Sequence, residues 1–138
     1  MDRDQVIKTL LERDQFSKWL GLELLEYRAG YVKLRGKIRA EMMNGIGSLH
    51  GGVTFAMADS AFAFTCNMEN MISVALEVNI SFTKAGYEGD VFTIVSKEIN
   101  TTRKIGIYEV TITNQHDELV ALFRGTCYRV GKTLLPEN

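Results

Sequence analysis

The chain is poor in the residue types that mark disulfide-rich, proline-rich or membrane proteins. It has one proline and two cysteines among its 138 residues. Cys66 and Cys127 lie in apolar surroundings and form no CxxC pair, so we expect buried, reduced thiols and no metal site. No stretch reaches the roughly 20 apolar residues of a membrane span, and the charged N-terminus lacks the apolar run of a signal peptide. We therefore expect a cytoplasmic protein without a membrane partner.

The chain also lacks an excess of charge of one sign. Its 16 basic and 17 acidic residues give a formal net charge of −1, and they are interspersed. This balance argues against a nucleic-acid partner, because no strong positive field is present. Apolar residues make up 46% of the chain, which suits one compact core, and we predict a single domain over residues 1–138.

Hydrophobic periodicity predicts an α+β fold. Apolar residues at helical spacing predict an amphipathic helix over about 4–19, and an almost wholly apolar stretch predicts a central helix over about 52–67. Alternating or β-branched segments predict strands at 22–27, 31–38, 73–82, 91–99, 105–113 and 119–130. A twisted antiparallel sheet wrapped around the central helix accounts for both patterns. Its edge strands would pair between two copies, so we expect a dimer.

The segment 105–113 has an irregular pattern. Its apolar residues move from odd positions, Ile105 and Ile107, to even positions, Val110 and Ile112. This change predicts either a bulge in the strand or a strand that is buried on both faces.

One carboxylate interrupts the apolar central helix. Asp59 is the single acidic residue between Val53 and Cys66, and a buried carboxylate is costly unless it is hydrogen-bonded, paired or protonated. Two interpretations are open: a functional role, or a structural hydrogen bond, for example to Ser60 or Thr83.

A histidine and two glycines precede this helix. They form either a flexible turn, with His50 capping or packing, or a place where a ligand approaches the backbone N–H groups at the positive end of the helix. Such donors would polarise an electrophilic carbonyl. Gly51 and Asp59 are eight residues apart, or roughly 12 Å along one helix. Cooperation between them therefore requires the antiparallel helix of a second subunit.

The sequence NGIGSLHGG at 44–52, followed by ADSA at 58–61, resembles the motif of the hotdog-fold acyl-CoA thioesterases. The resemblance is to the PaaI-like branch, named for phenylacetic acid degradation. Segments 102–110, 113–115 and 123–125 are also similar to that branch, and the similarity covers about residues 18–130. It implies a hotdog fold, active sites shared within a homodimer, and a homotetramer formed as a dimer of dimers.

The resemblance implies hydrolysis of an (aryl)acyl-CoA, such as phenylacetyl-CoA or hydroxyphenylacetyl-CoA, to the free acid and CoA without a metal or other cofactor. Asp59 would be the general base or the nucleophile, and burial is expected to raise its pKa. The N–H of Gly51 would polarise the thioester carbonyl, His50 would shape the pocket, and Asn44 would orient the water or the acyl group.

The other parts of the substrate have their own candidates. Phe55, Met57, Phe62 and Phe64 are candidates for the acyl pocket and equally for the core. The candidate contacts of the substrate and its CoA part are Gly52, Lys84, Thr101, Thr102, Arg103 and Lys104. Lys84 stands where the family usually has a proline, which weakens the expected CoA contact there. Ala63 and Ala75 stand where some relatives have a hydroxyl that supports the carboxylate, so no such hydroxyl is assigned.

Two alternatives stay open. A dehydratase or hydratase of the same fold would use a histidine with a carboxylate, but such enzymes have a proline-rich stretch around the histidine, and Pro136 is the only proline here. A non-catalytic acyl-CoA-binding protein would keep the pocket without the chemistry, yet an aspartate is costly in a pocket that needs only apolar contacts.

Overall fold

The computed structural model describes residues 1–137, which form three α-helices and one six-stranded sheet. The elements are α1 (Arg3–Arg13), α2 (Gln15–Leu20), β1 (Glu23–Arg28), β2 (Tyr31–Lys37), a 3₁₀ turn (Ala40–Met42), α3 (Gly51–Asn67), β3 (Ser73–Phe82), β4 (Val91–Thr101), β5 (Ile105–Thr113) and β6 (Leu119–Arg129). The six strands and the central helix are thus confirmed, with ends that differ from the predicted ones by at most two residues.

The N-terminal segment forms two helices, so the single helix predicted over 4–19 is wrong in this respect. Asp14 separates them, with φ −82° and ψ 86°. Its carboxylate accepts the backbone N–H of Ser17 at 2.9 Å and the hydroxyl of Ser17 at 2.6 Å. An aspartate in this place satisfies an amide that the first turn leaves unpaired, so it starts a new helix instead of continuing the old one.

The sheet has the strand order β1-β2-β4-β5-β6-β3, and all neighbouring strands are antiparallel. Its inner face packs on α3. The fully buried side chains of that face include Val32, Leu34, Phe92, Ile94, Val110, Ile112 and Phe123. Cys66 on α3 and Cys127 on β6 are free cysteines, and both are buried, as expected. A long helix on a twisted antiparallel sheet is the predicted α+β architecture.

Strand β5 keeps a regular alternation, with the even-numbered residues 106–112 buried against α3. Ile105 and Ile107 face the other side, where they are half-buried. The register of β5 shifts against both neighbours, and the extra residue lies in the neighbour each time: in β4 between Glu98 and Asn100, and in β6 between Leu119 and Ala121. The bulge expected as one alternative within β5 is therefore wrong, and the outward isoleucines account for the irregular pattern.

One side of α3, called the uncovered side below, is only partly covered by residues 1–137. Gly52 is exposed, and Ala56, Asp59 and Ala63 are half-buried. These residues follow each other at intervals of three or four, so they lie on one side of the helix. Full coverage of this apolar helix therefore requires contacts from outside the chain.

Strand β3 is the sheet edge next to this uncovered side. Val74, Leu76 and Phe82 on it are 49%, 63% and 55% exposed. A ten-residue edge strand with exposed apolar side chains is a template for pairing with another strand. Within residues 1–137, no helix is long and apolar enough to cross a membrane.

Candidate active site

Helix α3 begins with a cap formed by His50. The imidazole Nδ1 of His50 accepts the backbone N–H of Gly52 at 2.8 Å, and the N–H of His50 itself donates to the Met42 carbonyl at 3.0 Å. A Cβ on Gly52 would lie 2.8 Å from that same Nδ1, so the cap requires glycine at position 52. The capping role expected for His50 is confirmed. The N–H of Gly52 is engaged in the cap, and the binding role predicted for Gly52 stays a prediction.

The N–H of Gly51 is different, because it has no acceptor among the described residues. Gly51 is the first helical residue, where an N–H lacks an intrahelical partner. It lines an open groove of about 360 Å³ together with Thr54, Phe82 and Lys84. A Cβ at position 51 would meet the Phe82 ring at 3.4 Å, an ordinary contact. Glycine is therefore not needed at position 51 to avoid a clash. The N–H of Gly51 is a donor at the positive end of the helix and is open to a ligand.

Asn44 shapes the loop that leads into α3. Its Oδ1 accepts the N–H groups of Ile46 at 3.0 Å and Ser48 at 3.1 Å, and its Nδ2 donates to the Ser48 hydroxyl at 2.9 Å. An asparagine that closes a turn through its own amide is a common loop device. The predicted contact of Asn44 with water or the acyl group stays a prediction.

Asp59 lies half-buried on the uncovered side of α3. Its carboxylate has no hydrogen-bond partner within residues 1–137, and the two expected partners are engaged elsewhere. Ser60 Oγ lies 2.8 Å from Ser17 Oγ, and Thr83 donates to the Leu119 carbonyl at 2.6 Å. The structural hydrogen bond to Ser60 or Thr83 is therefore wrong.

The surroundings of Asp59 favour its neutral form. Burial raises the pKa of the Asp59 carboxyl above its ordinary value, and the negative charge of Asp14 is the second, smaller cause. The expected direction of this shift is thus confirmed. A carboxylate with a raised pKa and no protein partner is available for proton transfer.

The predicted CoA contacts are split between the two ends of the sheet. Lys84 lies near Gly51 and forms an ion pair with Glu118 at 3.0 Å. The turn 101–104 lies at the far end of β4, which is eleven residues long and so spans about 30 Å. Within one chain, Lys84 and this turn do not belong to one site.

A basic cavity of about 410 Å³ lies beside the turn 101–104. Its charged lining residues, all basic, are Arg103, Lys104, Arg129 and Lys132. Arg129 donates to the Thr101 hydroxyl at 2.7 Å and to the Thr102 carbonyl at 3.1 Å, so the two threonines hold the guanidinium. Its Nε is buried without a partner among the described residues.

Arg129 and Lys132 were not among the predicted site residues. Arg129 is the last residue of β6 and Lys132 follows three residues later, about 25 residues after the turn. The pairing of β5 with β6 brings this part of the chain to the turn. The available signal was four cations in two segments without a nearby acidic residue.

The expected acyl-pocket residues are mostly core. Met57, Phe62 and Phe64 are at most 2% exposed. Phe55 is half-buried and packs edge-to-face on Phe123, with ring centroids 5.6 Å apart. Of these four side chains, Phe55 alone is not fully buried.

Known proteins match this chain along most of its length. The family model of the thioesterase superfamily matches residues 46–121. A relative from Escherichia coli K12, acyl-coenzyme A thioesterase PaaI, is 35% identical over 128 residues, which are 93% of this chain and 91% of the relative.

Solved structures are similar as well. The structure of the E. coli PaaI protein from the phenylacetic acid degradation operon has a TM-score of 0.92 at 34% identity, with 95% of each chain covered. A hypothetical thioesterase of Streptococcus pneumoniae TIGR4, solved with coenzyme A, has a TM-score of 0.78 at 28% identity, and the match covers 81% of this chain and 90% of that one.

Proposed function

The chain belongs to the thioesterase superfamily and is an acyl-CoA thioesterase of the PaaI type, and from this premise we propose that it hydrolyses an arylacyl-CoA with Asp59 as the catalytic carboxylate. The hotdog fold predicted from the sequence is confirmed by the structural match. The relative from E. coli belongs to a phenylacetic acid degradation operon. This origin supports phenylacetyl-CoA or hydroxyphenylacetyl-CoA as the substrate.

The observation that carries the role of Asp59 is its isolation. It is a half-buried carboxylate with a raised pKa and no hydrogen-bond partner in the described chain. A structural aspartate in such a place would leave its desolvation uncompensated. A base or nucleophile, in contrast, must keep its oxygens free for the substrate.

The chemistry requires a donor opposite the carboxylate. Asp59 accepts a proton from water as the water oxygen attacks the thioester carbon, and the carbonyl oxygen becomes negative beside the N–H of Gly51. The intermediate collapses with cleavage of the C–S bond, and the thiolate of CoA takes up the proton. In the alternative route an oxygen of Asp59 attacks the carbon itself, the C–S bond breaks and CoA leaves as the thiolate, and water then hydrolyses the mixed anhydride, which restores Asp59 and gives its proton to the thiolate.

A second copy is needed because Gly51 and Asp59 lie two helical turns apart on α3. Two antiparallel helices that cross near Phe55, midway between these residues, bring Gly51 of one copy beside Asp59 of the other. Gly52 and Ala56 on the uncovered side are small, so the two backbones can approach closely. The exposed edge strand β3 can pair with its counterpart in the same dimer.

We further propose that two such dimers form a homotetramer. The outward residues Ile105 and Ile107 and the partly exposed Tyr128 make the outer sheet face partly apolar near the turn 101–104. Light scattering during gel filtration is expected to give about four times the chain mass of 15.5 kDa. A mass of one chain would contradict both the shared site and the tetramer.

The basic cavity is suited to the phosphates of CoA. The cavity lies at the end of the sheet toward which the C-terminal half of α3 points. In the antiparallel dimer, the cavity is therefore on the same side as Asp59 of its own chain. The path from Asp59 to Asn67 at the end of α3 is roughly 12 Å, which the pantetheine arm can span. Arg103, Lys104, Arg129 and Lys132 then face the phosphates, and charge-assisted hydrogen bonds to phosphate are the strong ones.

The test is hydrolysis of a panel of acyl-CoA esters by the Asp59→Asn variant, and the measured quantity is the release of free thiol. We expect turnover to fall by roughly 10²- to 10⁴-fold, the size of a general-base contribution, while the oligomer stays intact. Glu88→Gln, an exposed loop carboxylate, is the matched control and should act as the wild type does. Wild-type turnover by Asp59→Asn would overturn the role, and a preference for straight chains over arylacyl groups would overturn the substrate.

A further inference from the structure

The N-terminal helices contact α3 through a buried pair of hydroxyls next to Asp59. Ser17 on α2 is 5% exposed and Ser60 on α3 is 7% exposed, and their Oγ atoms lie 2.8 Å apart. Ser60 directly follows Asp59 in α3. The contact therefore fixes the position of α2 relative to the turn of α3 that carries the carboxylate.

The hydroxyl pair ends at a second carboxylate. Ser17 Oγ lies 2.6 Å from Asp14 Oδ2, and an ionised carboxylate only accepts, so Ser17 donates to Asp14. Ser17 Oγ is then the acceptor for the hydroxyl of Ser60. The N–H of Ser17 holds the other oxygen, Asp14 Oδ1, at 2.9 Å. Both oxygens of Asp14 are thus fixed, and the chain of donors runs from α3 to this carboxylate.

Asp14 faces the same side of α3 as Asp59. A groove of about 220 Å³ between α1 and α3 is lined by both Asp14 and Ala63. Ala63 lies four residues after Asp59, so the two share one side of the helix. Asp14 forms no ion pair within residues 1–137, and its charge is not cancelled by a direct partner.

We propose that Asp14 is a positioning residue of the active site, whose negative charge, fixed beside α3 through Ser17 and Ser60, keeps Asp59 a stronger base. This inference rests on the proposed role of Asp59. Asp14 does not need to touch the substrate. It acts because a like charge nearby disfavours ionisation of Asp59, which then holds a proton more strongly.

The other charged groups near Asp59 do not replace Asp14. Burial is the largest cause of the raised pKa of Asp59, and the charge of Asp14 is the second. No charged side chain of the strands packed on α3 contributes. Arg13 lines the groove but is exposed to solvent. In the proposed dimer, His50 of the second copy also approaches Asp59, and it is unchanged in the variants below.

The test is the pH dependence of kcat/KM in Asp14→Asn. Asparagine caps a helix as well as aspartate does, so this change removes the charge and keeps the start of α2. Loss of a like charge lowers the pKa of Asp59, so the acidic limb of the profile should move to lower pH. The plateau should fall by roughly two- to fivefold, because a weaker base takes up a proton less readily. Glu12→Gln is the matched control, since it removes an exposed carboxylate of α1, and it should leave the profile in place.

The outcomes separate this inference from the proposed function. If Asp59→Asn is inactive but Asp14→Asn has the same acidic limb as Glu12→Gln, the inference is overturned. If Asp59→Asn is fully active, the proposed function fails regardless of Asp14. Should Asp14→Asn fold poorly, Asp14→Ser provides a neutral cap, and titration of the ¹³C-labelled Asp59 carboxyl by NMR reports the same shift without turnover.

Discussion

His50 accepts the backbone N–H of Gly52 through its Nδ1 at 2.8 Å, and this bond determines which amide at the start of α3 stays open. The N–H of His50 is bound to Met42, and that of Val53 to His50. Only the N–H of Gly51, among these four consecutive amides, has no acceptor in the described chain. The cap and the proposed carbonyl site are therefore parts of the same turn.

Loss of the cap should affect both stability and activity. His50→Ala removes the acceptor of the Gly52 amide, and loss of an N-cap costs about 1 kcal/mol of the free energy of unfolding. We expect a lower Tm and a lower kcat, because the first turn no longer holds Gly51 in place. His50→Asn should restore most of the Tm. His116→Ala, in an exposed turn, is the control, and an equal loss in that variant would show that the effect is not due to the cap.

Asp59 should lower the stability of the folded protein at neutral pH. Its pKa is raised on folding, so the folded state binds the proton more strongly than the unfolded state. Stability therefore falls as the pH rises from the ordinary carboxyl pKa through the folded value. We expect Asp59→Asn to have a higher Tm than the wild type at pH 7, with the gap closing below the ordinary value of 3.8. Thermal unfolding from pH 3 to 8 checks this, and a lower Tm of the variant at pH 7 would contradict it.

The elements of the fold follow from local patterns, and the sequence was sufficient for them. The alternation of 31–38 and the apolar run of 52–67 depend only on neighbouring residues. The break at Asp14 was missed because aspartate is compatible with both a helix interior and a cap, and its contact with Ser17 decides between them.

The site was less predictable than the fold, because its parts come from distant segments. Asp59 was apparent as a charge in an apolar helix, and the glycines as a turn. Arg129 and Lys132, in contrast, reach the turn 101–104 only through the pairing of β5 with β6. Asn44 closes its loop through hydrogen bonds of its own amide. The sequence alone does not distinguish this role from a contact with the substrate.

The basic cavity should determine affinity for the nucleotide part of the substrate. Lys132→Gln removes one cation from the cavity while its backbone carbonyl still accepts the N–H of Ile72. We expect KM for phenylacetyl-CoA to rise by roughly three- to tenfold, the range of a hydrogen bond between charged groups near the surface. KM for the phenylacetyl thioester of pantetheine, which has no nucleotide, should not change. Lys97→Gln, on the outer sheet face, is the control, and an equal rise for both substrates would contradict a phosphate contact.

Complementation between two inactive variants can test whether the active site is shared. Asp59→Ala removes the carboxylate, and Gly51→Pro removes the free N–H. Proline is favoured at the first helical position, and His50 before it has φ −62° and ψ 128°, a conformation that the residue before proline adopts readily. The Gly51→Pro variant should therefore fold.

Each variant alone has every site damaged. In a mixed dimer, one site combines both defects, and the other combines an intact Asp59 with an intact Gly51 turn, because the two groups come from opposite chains. We expect co-expression of differently tagged chains, purified through both tags, to restore about half of the wild-type activity per dimer, as one intact site of two requires. Sites built within single chains would remain inactive in this mixture. Two copies of the Asp59→Ala chain with different tags, purified in the same way, are the control for recovery from the tags alone.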